Sequence, residues 1–461
     1  MAEPQDEIFD AAVIGAGVVG CAVFRALVLA GLRTVLLERG ADILGGASKG
    51  NSAILHTGFD APPGSLELAC MQAGRAEYLA IREPLGLPLL ETDAVLVAWT
   101  AEEAAQLPAI RAKALRNGVP AVRPLAPEAL AAREPQVARG AADGLLVPGE
   151  HVIDPWSAPL AYALQGLANG GTVRRRAAVE GGTLSGGTWR LATAGGPVAA
   201  RLVVNCAGLQ GDLVEAIARP SSFAIRPRKG QFVVFDKPAA RLLGAILLPV
   251  PTERTKGVLL ARTAFGNLLA GPTAEDQEDR EHAATDPATL ARLVERAQQL
   301  VPALAGMPVN AVYAGLRPAT AVSDYIIEGQ PARRWITVAG IRSTGLTAAL
   351  GIAAHVRALV GSDFAALRPL ADPAWTPVPN LAEDRPRPWQ APGAELVCHC
   401  ELVTRAEIEA ALAGPLPAGD VGGLKRRTRC MMGRCQGFYC SARVATLAGD
   451  RLLPPLAEAA A

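Results

Sequence analysis

The hydrophobic pattern near the start of the chain changes period within a few turns of backbone. An apolar run beginning at Ile8 gives way to Gly15-Ala16-Gly17-Val18-Val19-Gly20, and then to a helix-like stretch, Cys21 to Ala30, whose only charge is Arg25. This pattern predicts a strand, a glycine turn and a helix. A second apolar strand, Thr34 to Leu37, ends at Glu38, 18 residues after Gly20. Gly15 permits a tight turn, Gly17 lets the backbone approach a pyrophosphate, and Gly20 lets helix and strand pack closely. The phosphate then rests on the helix N-terminus, and the Glu38 carboxylate accepts hydrogen bonds from a ribose without a 2′-phosphate. A dinucleotide site is the expectation; a glycine-rich turn in a core is the alternative.

Farther along, Arg201 to Gly208 reads as a buried strand closing in a glycine turn. Phe232 to Phe235 alternates as a strand, and Ala348 to Val360 is an apolar helix. The periodicity then fades. Residues 371 to 395 carry six prolines (373, 377, 379, 386, 388 and 392), which predicts a semi-rigid linker. Beyond it a helix starting near Thr404, with Glu407, Ile408 and Ala411 at amphipathic spacing, separates two groups of close cysteines.

Composition narrows the function classes. The 461 residues have room for about three domains of roughly 150 residues each. Lys and Arg (45) balance Asp and Glu (44), so no overall charge excess holds a nucleic-acid backbone or an anionic membrane. The longest uncharged apolar stretch near the start, Ala11 to Phe24, is shorter than the roughly 20 residues that cross a bilayer. The acidic first residues lack the positive flank of a secretory signal. A cytoplasmic protein without an integral membrane segment is expected, with peripheral association left open. Five of the eight cysteines (398, 400, 430, 435 and 440) fall within 43 residues, which in a reducing compartment suggests a metal centre. Lys425, Arg426, Arg427, Arg429 and Arg434 put five cations in ten residues. Such a run reads as a solvated face; without interleaved aromatic residues it does not favour nucleic acid.

The segment Gly45 to Gly58, with Asn51-Ser52 and His56-Thr57-Gly58, followed by Pro63-Gly64-Ser65-Leu66, resembles FAD-dependent oxidoreductases of the D-amino-acid-oxidase and glycerol-3-phosphate-dehydrogenase superfamily. The same pattern is similar to L-2-hydroxyglutarate dehydrogenases. The resemblance spans about residues 8 to 365. It implies that Ser48, Asn51, Ser52 and His56 lie near the pyrophosphate and the isoalloxazine ring, and that Ala207 and Gly208 make a second contact with the nucleotide. It also implies that Gly340, Arg342, Gly345, Leu346 and Thr347 bring a helix N-terminus to the flavin, where free N–H groups stabilise its electron-rich edge.

On the substrate side, Arg226 to Gln231 looks like the start of a substrate domain. Gly315-Leu316-Arg317-Pro318 is similar to the superfamily's arginine segment. The Arg317 guanidinium can clamp a carboxylate or phosphate, with Arg254, Lys256 and Arg262 as further candidate cations. His56 is the leading candidate for the catalytic base or a flavin contact; a histidine satisfied within its turn is the plain alternative. His151, His282 and His355 read as structural or exposed.

The tail, Cys398-His399-Cys400 with Cys430 to Cys440 containing Cys435-Gln436-Gly437, resembles the [2Fe–2S] domain of bacterioferritin-associated ferredoxin. That domain also ends anaerobic glycerol-3-phosphate-dehydrogenase-like chains. The resemblance implies Cys398, Cys400, Cys435 and Cys440 as ligands, leaving Cys430 as an extra thiol and His399 as a bystander. Thiolates also suit zinc, but neither pair has the CxxC spacing usual for it. Beside such a cluster the basic run would raise its potential or dock an acidic electron carrier.

Together these readings predict an α/β fold. A Rossmann-type FAD-binding domain (1–90, 145–220 and 310–368) is interleaved with an α+β substrate domain (91–144 and 221–309). A linker (369–395) and a small helical [2Fe–2S] domain (396–445) follow. The expected activity is a dehydrogenase that oxidises a small anionic alcohol, glycerol 3-phosphate first, and passes electrons through the cluster to an acceptor protein or partner subunit. An oligomer is expected. The alternatives are oxidation of a 2-hydroxy acid or of an amino or imino acid, and, in another class, a non-catalytic redox-sensing or zinc-stapled adaptor.

Overall fold

The computed structural model describes residues 7–251 and 257–456; Arg254 and Lys256 lie outside the described residues. The first strand, Ala11–Ile14, and the second, Thr34–Leu37, are buried at every position, as strands covered on both faces must be. They pair in parallel and form the middle of a six-stranded sheet. Its order is Thr172–Arg174, Thr34–Leu37, Ala11–Ile14, Val203–Asn205, Trp335–Ala339 and Ile326–Gln330. Only the last pairs antiparallel. After Ala11–Ile14 the chain moves to one side of the sheet and later returns on the other. The glycine turn therefore opens into the crevice where doubly wound sheets bind ligands.

The helix after that turn, Val18–Leu29, packs on Ser157–Ala168 and on Gly345–Asp363. The latter is long and apolar enough to cross a membrane by length and composition, and it is the one such helix among the described residues. Here it is a core helix. It meets Leu66–Ile81 at a close approach made by glycines: a Cβ at Gly351 would lie 2.1 Å from the Cys70 carbonyl oxygen, and one at Gly74 2.2 Å from that of Thr347.

A nine-stranded sheet forms the second layer. It includes Arg226–Phe235, which pairs along its length with Val309–Ala319, and Ala94–Ala98, which pairs with Asp143–Val147. The amphipathic helix Pro287–Leu300 closes this unit over a core of Val233, Phe235, Leu247 and Leu268. The boundaries expected at 145 and 310 thus fall in or beside strands of the nine-stranded sheet. An apolar pattern marks a strand, but its hydrogen-bond partners decide which sheet it joins.

Residues 369–395 form a strap pinned to the body. Leu370 N–H donates to the Leu29 carbonyl (3.0 Å), Val378 N–H to Leu85 (2.9 Å) and Glu383 N–H to Ala264 (2.9 Å). Val378, Leu381 and Ala382 are buried. The expectation of a linker is corrected accordingly: proline keeps the segment out of regular structure, but its neighbours fix its course.

The tail has its own core, with Val397, Ile408, Leu424 and Val444 under the helices Arg405–Ala413, Val421–Thr428 and Ser441–Ala448. Thr404 and Glu407 start the first of these with a reciprocal capping box. The tail docks on the body through its basic residues. Arg427 meets Asp42 with two hydrogen bonds (2.5 and 2.8 Å), the two side chains 7% and 0% exposed. Arg426 donates to the Ile43 carbonyl (2.9 Å), and Arg434 pairs with Asp236. The expected solvated face is therefore an internal interface, and Arg426, Arg427 and Arg434 are committed to partners within the chain.

Candidate functional site

The glycine turn is dictated by space. Gly15 has φ +100°, and a Cβ there would lie 2.6 Å from the Cys206 carbonyl oxygen; at Gly20 it would lie 1.8 Å from the Gly15 oxygen. At Gly17 a Cβ would meet only the Ser48 Oγ, at 3.1 Å. Gly17 is also the N-cap of Val18–Leu29, and no side chain caps that end from its own turn. Ser48 Oγ instead accepts from Val18 N–H (2.9 Å). The remaining N–H groups face a cavity of about 960 Å³, toward the upper end of the roughly 300–1,000 Å³ of small-molecule sites. Glu38 is held at its edge, Oε2 accepting from Ala16 N–H and Oε1 from Gly40 N–H, both at 2.8 Å. A helix N-terminus with N–H groups left beyond the one Ser48 takes, a carboxylate fixed beside it and a cavity of this size fit a dinucleotide.

The same cavity gathers most of the remaining candidates: Ser52, Ala207, Gly208, Gly340, Arg342, Gly345 and Leu346 line it. Asn51 reaches the wall, but its amide is spent on the turn, donating to the Ser48 carbonyl (3.1 Å) and accepting from Ala53 N–H (2.8 Å). Thr347 does not reach the wall. It is buried and ties two segments together, accepting from His56 N–H (3.0 Å) and donating to the Ile54 carbonyl (3.1 Å).

His56 and Arg317 face this one cavity from different layers. His56 Nδ1 lies 2.8 Å from Glu150 Oε2, and the Glu150 side chain is 1% exposed. The other Glu150 oxygen accepts from Thr57 N–H (2.6 Å) and Oγ1 (2.7 Å). A carboxylate can only accept, so Nδ1 of the neutral ring carries the hydrogen and Nε2 keeps the lone pair. Glu150 has no sequence signal. Strand pairing supplies it, Leu55 lying opposite His151.

Arg317 lies opposite Arg228 in the long strand pair. Burial, with a smaller contribution from Arg228, pushes its pKa down to about 10, so it is cationic at neutral pH. Arg228 pairs with Asp276 (2.8 Å). Arg317 makes one hydrogen bond, to the Thr273 carbonyl (3.2 Å), and no ion pair among the described residues. Gly230 makes room for it, since a Cβ there would lie 2.4 Å from Arg317 Nη2. Lys113, from the helix Leu107–Arg116, also lines the cavity and has no sequence motif to reveal it. Arg262 does not reach the wall.

In the tail the four proposed ligands meet as two thiol pairs, Cys400 with Cys435 and Cys398 with Cys440. Gly433 lets the two loops touch, a Cβ there falling 2.3 Å from Cys400 Cβ. Backbone N–H groups of Tyr439, Gly437 and Phe438 favour the Cys435 thiolate and pull its pKa down. No group of three or more His, Cys, Asp or Glu side chains among the described residues is arranged for one metal ion. Two thiol pairs instead suit the two irons of a [2Fe–2S] cluster. Cys430 is buried in the tail's core, its pKa raised by that burial to about 11, and His399 is exposed.

Residues 10–359 match the family described as FAD dependent oxidoreductase, and residues 396–448 match the BFD-like [2Fe-2S] binding domain. The chain is 32% identical over 449 residues to a glycerol 3-phosphate dehydrogenase of Caloramator mitchellensis, an alignment covering 95% of this chain and 93% of that protein. It is 26% identical to one subunit of the anaerobic glycerol-3-phosphate dehydrogenase of Escherichia coli, over 95% of this chain and 87% of the other. The FAD-bound, dithionite-reduced L-alpha-glycerophosphate oxidase of Mycoplasma pneumoniae superposes with a TM-score of 0.74 at 26% identity, covering 81% of this chain and 99% of that one.

Proposed function

This chain belongs to the FAD dependent oxidoreductase family and carries a BFD-like [2Fe-2S] binding domain, and on that premise we propose that it is a dehydrogenase of glycerol 3-phosphate. It is an FAD-dependent oxidoreductase, which sets aside the non-catalytic adaptor. The observation that carries the substrate reading is the pairing, in one cavity wall, of Arg317, a cation with no ion-pair partner among the described residues, and an imidazole backed by a buried carboxylate. Arg317, with Lys113 also lining the cavity, binds the phosphate and orients the alcohol. His56 Nε2 takes the hydroxyl proton as the carbon gives up its hydride, and Glu150 holds the imidazolium that results. Bound FAD supplies the hydride acceptor. The six-stranded unit holds the nucleotide, through Gly15, Gly17, Gly20 and Glu38, and the nine-stranded unit presents Arg317.

Cys398, Cys400, Cys435 and Cys440 would hold the cluster, which when bound would supply a one-electron exit toward a separate acceptor protein or subunit. The glycerophosphate oxidase is covered over 99% of its length by 81% of this chain, whereas the dehydrogenases align over 95% of it. That contrast favours a dehydrogenase over an oxidase. A substrate panel tests the reading. Under anaerobic conditions glycerol 3-phosphate bleaches the flavin, and L-2-hydroxyglutarate, glycine and proline do not. Bleaching by one of those and not by glycerol 3-phosphate refutes the assignment.

A further inference from the structure

We propose that Trp156 and Phe265, with Arg429 stacked against the Phe265 ring, form the bridge by which electrons pass from the flavin cavity to the cluster. The proposal rests on the reading that electrons leave through the tail. The Trp156 indole N–H donates to the Lys49 carbonyl (3.1 Å), on the segment whose neighbours Ser48 and Gly50 line the cavity. Its ring stacks on Phe265, centroids 5.5 Å apart and planes 11° from parallel. The Arg429 guanidinium lies 3.9 Å from the centre of the Phe265 ring, inside the range of a cation–π contact. Arg429 Nε donates to Glu401 (2.9 Å), with side-chain exposures of 5% and 2%. Arg429 adjoins Cys430, and Glu401 adjoins the ligand Cys400. Three segments distant in sequence thus make one continuous path of planar groups from the back of the cavity wall to the cluster loops.

This arrangement has chemistry beyond packing. Stacked aromatic rings give closely coupled π systems, and Arg429 offsets the buried Glu401 carboxylate beside a centre that becomes more negative on reduction. Reduced flavin gives up two electrons and one proton, the proton going to solvent. The electrons cross singly, each reducing one ferric ion to ferrous, and the cluster is reoxidised each time by a one-electron acceptor protein or dye.

The experiment compares Trp156→Phe, Trp156→Leu and Phe265→Leu in the full chain loaded with FAD and cluster. After anaerobic mixing with glycerol 3-phosphate, flavin bleaching and cluster reduction are followed separately by absorbance and by electron paramagnetic resonance. Flavin bleaching is expected to be unchanged in all three, while cluster reduction slows by about tenfold or more in the two leucine variants and stays near wild type in Trp156→Phe, which keeps a ring. Equal rates in Trp156→Phe and Trp156→Leu overturn the bridge, whether both are fast or both slow. A dithionite titration gives a readout independent of turnover: Arg429→Gln lowers the cluster potential, Arg429→Lys restores it, and an unshifted potential in Arg429→Gln removes that residue from the bridge. A wild-type cluster that stays oxidised after the flavin bleaches refutes the exit through the tail itself, and the bridge with it. A normally reduced cluster in the ring-less variants refutes the bridge alone.

Discussion

Glu150 has 1% of its side chain exposed and spends both oxygens on His56 and Thr57, so its carboxylate serves that pair and little else. His56 was legible because it sits in a recognisable segment. Glu150 was not, because it lies 94 residues away and reaches His56 only through strand pairing. Glu150→Gln places an amide against Nδ1 and removes the charge that balances the imidazolium. Flavin reduction is expected to slow by about 10²-fold with FAD still bound, the size of a typical acid–base contribution, measured by anaerobic stopped flow. Arg317 was legible from its motif; that no described residue pairs with its charge was not. Arg317→Ala should weaken substrate affinity by about ten- to a hundredfold, the loss of a charge-assisted contact worth roughly 1.5–3 kcal/mol, and leave FAD occupancy unchanged. Since burial brings the wild-type guanidinium down to about 10, binding of the anion should also weaken as the pH rises through that value and the charge is lost. A dissociation constant that does not change across that interval argues against a contact with the substrate's anion.

At the level of elements, strands, helices and the glycine turn followed from the apolar pattern, because each strand or helix carries its own period. Contacts between elements did not. The basic run around Arg427 reads as a surface until Asp42, 385 residues away, is seen to receive it. The proline-rich strap reads as a tether until its backbone groups find Leu29, Leu85 and Ala264. Asp42 also accepts from Gly419 N–H (3.1 Å), and a Cβ at Gly419 would lie 1.9 Å from the Ala41 oxygen, so one short loop grips the tail. Asp42→Asn leaves the Arg427 charge buried without its partner, which typically costs about 3–5 kcal/mol. Limited proteolysis should then release the 396–448 fragment much earlier than from wild type. Unchanged resistance means that the remaining contacts hold the tail without this pair.

For the whole molecule, the two sheets share one cavity, the first lining it with the glycine turn and the second with Arg317, while the tail packs on the outside with its thiols in two pairs. A division of labour follows. Cys435→Ser should abolish the cluster's spectrum and stop reduction of an external one-electron acceptor. Substrate-dependent bleaching of the flavin should persist, because the hydride step needs only the cavity. The decisive experiment is one anaerobic mixing of the wild-type holoenzyme with glycerol 3-phosphate, observing flavin absorbance and the signal of the reduced cluster together. The flavin should bleach first, and the cluster signal should grow as electrons leave it. A flavin that stays oxidised in the presence of glycerol 3-phosphate would contradict the assignment.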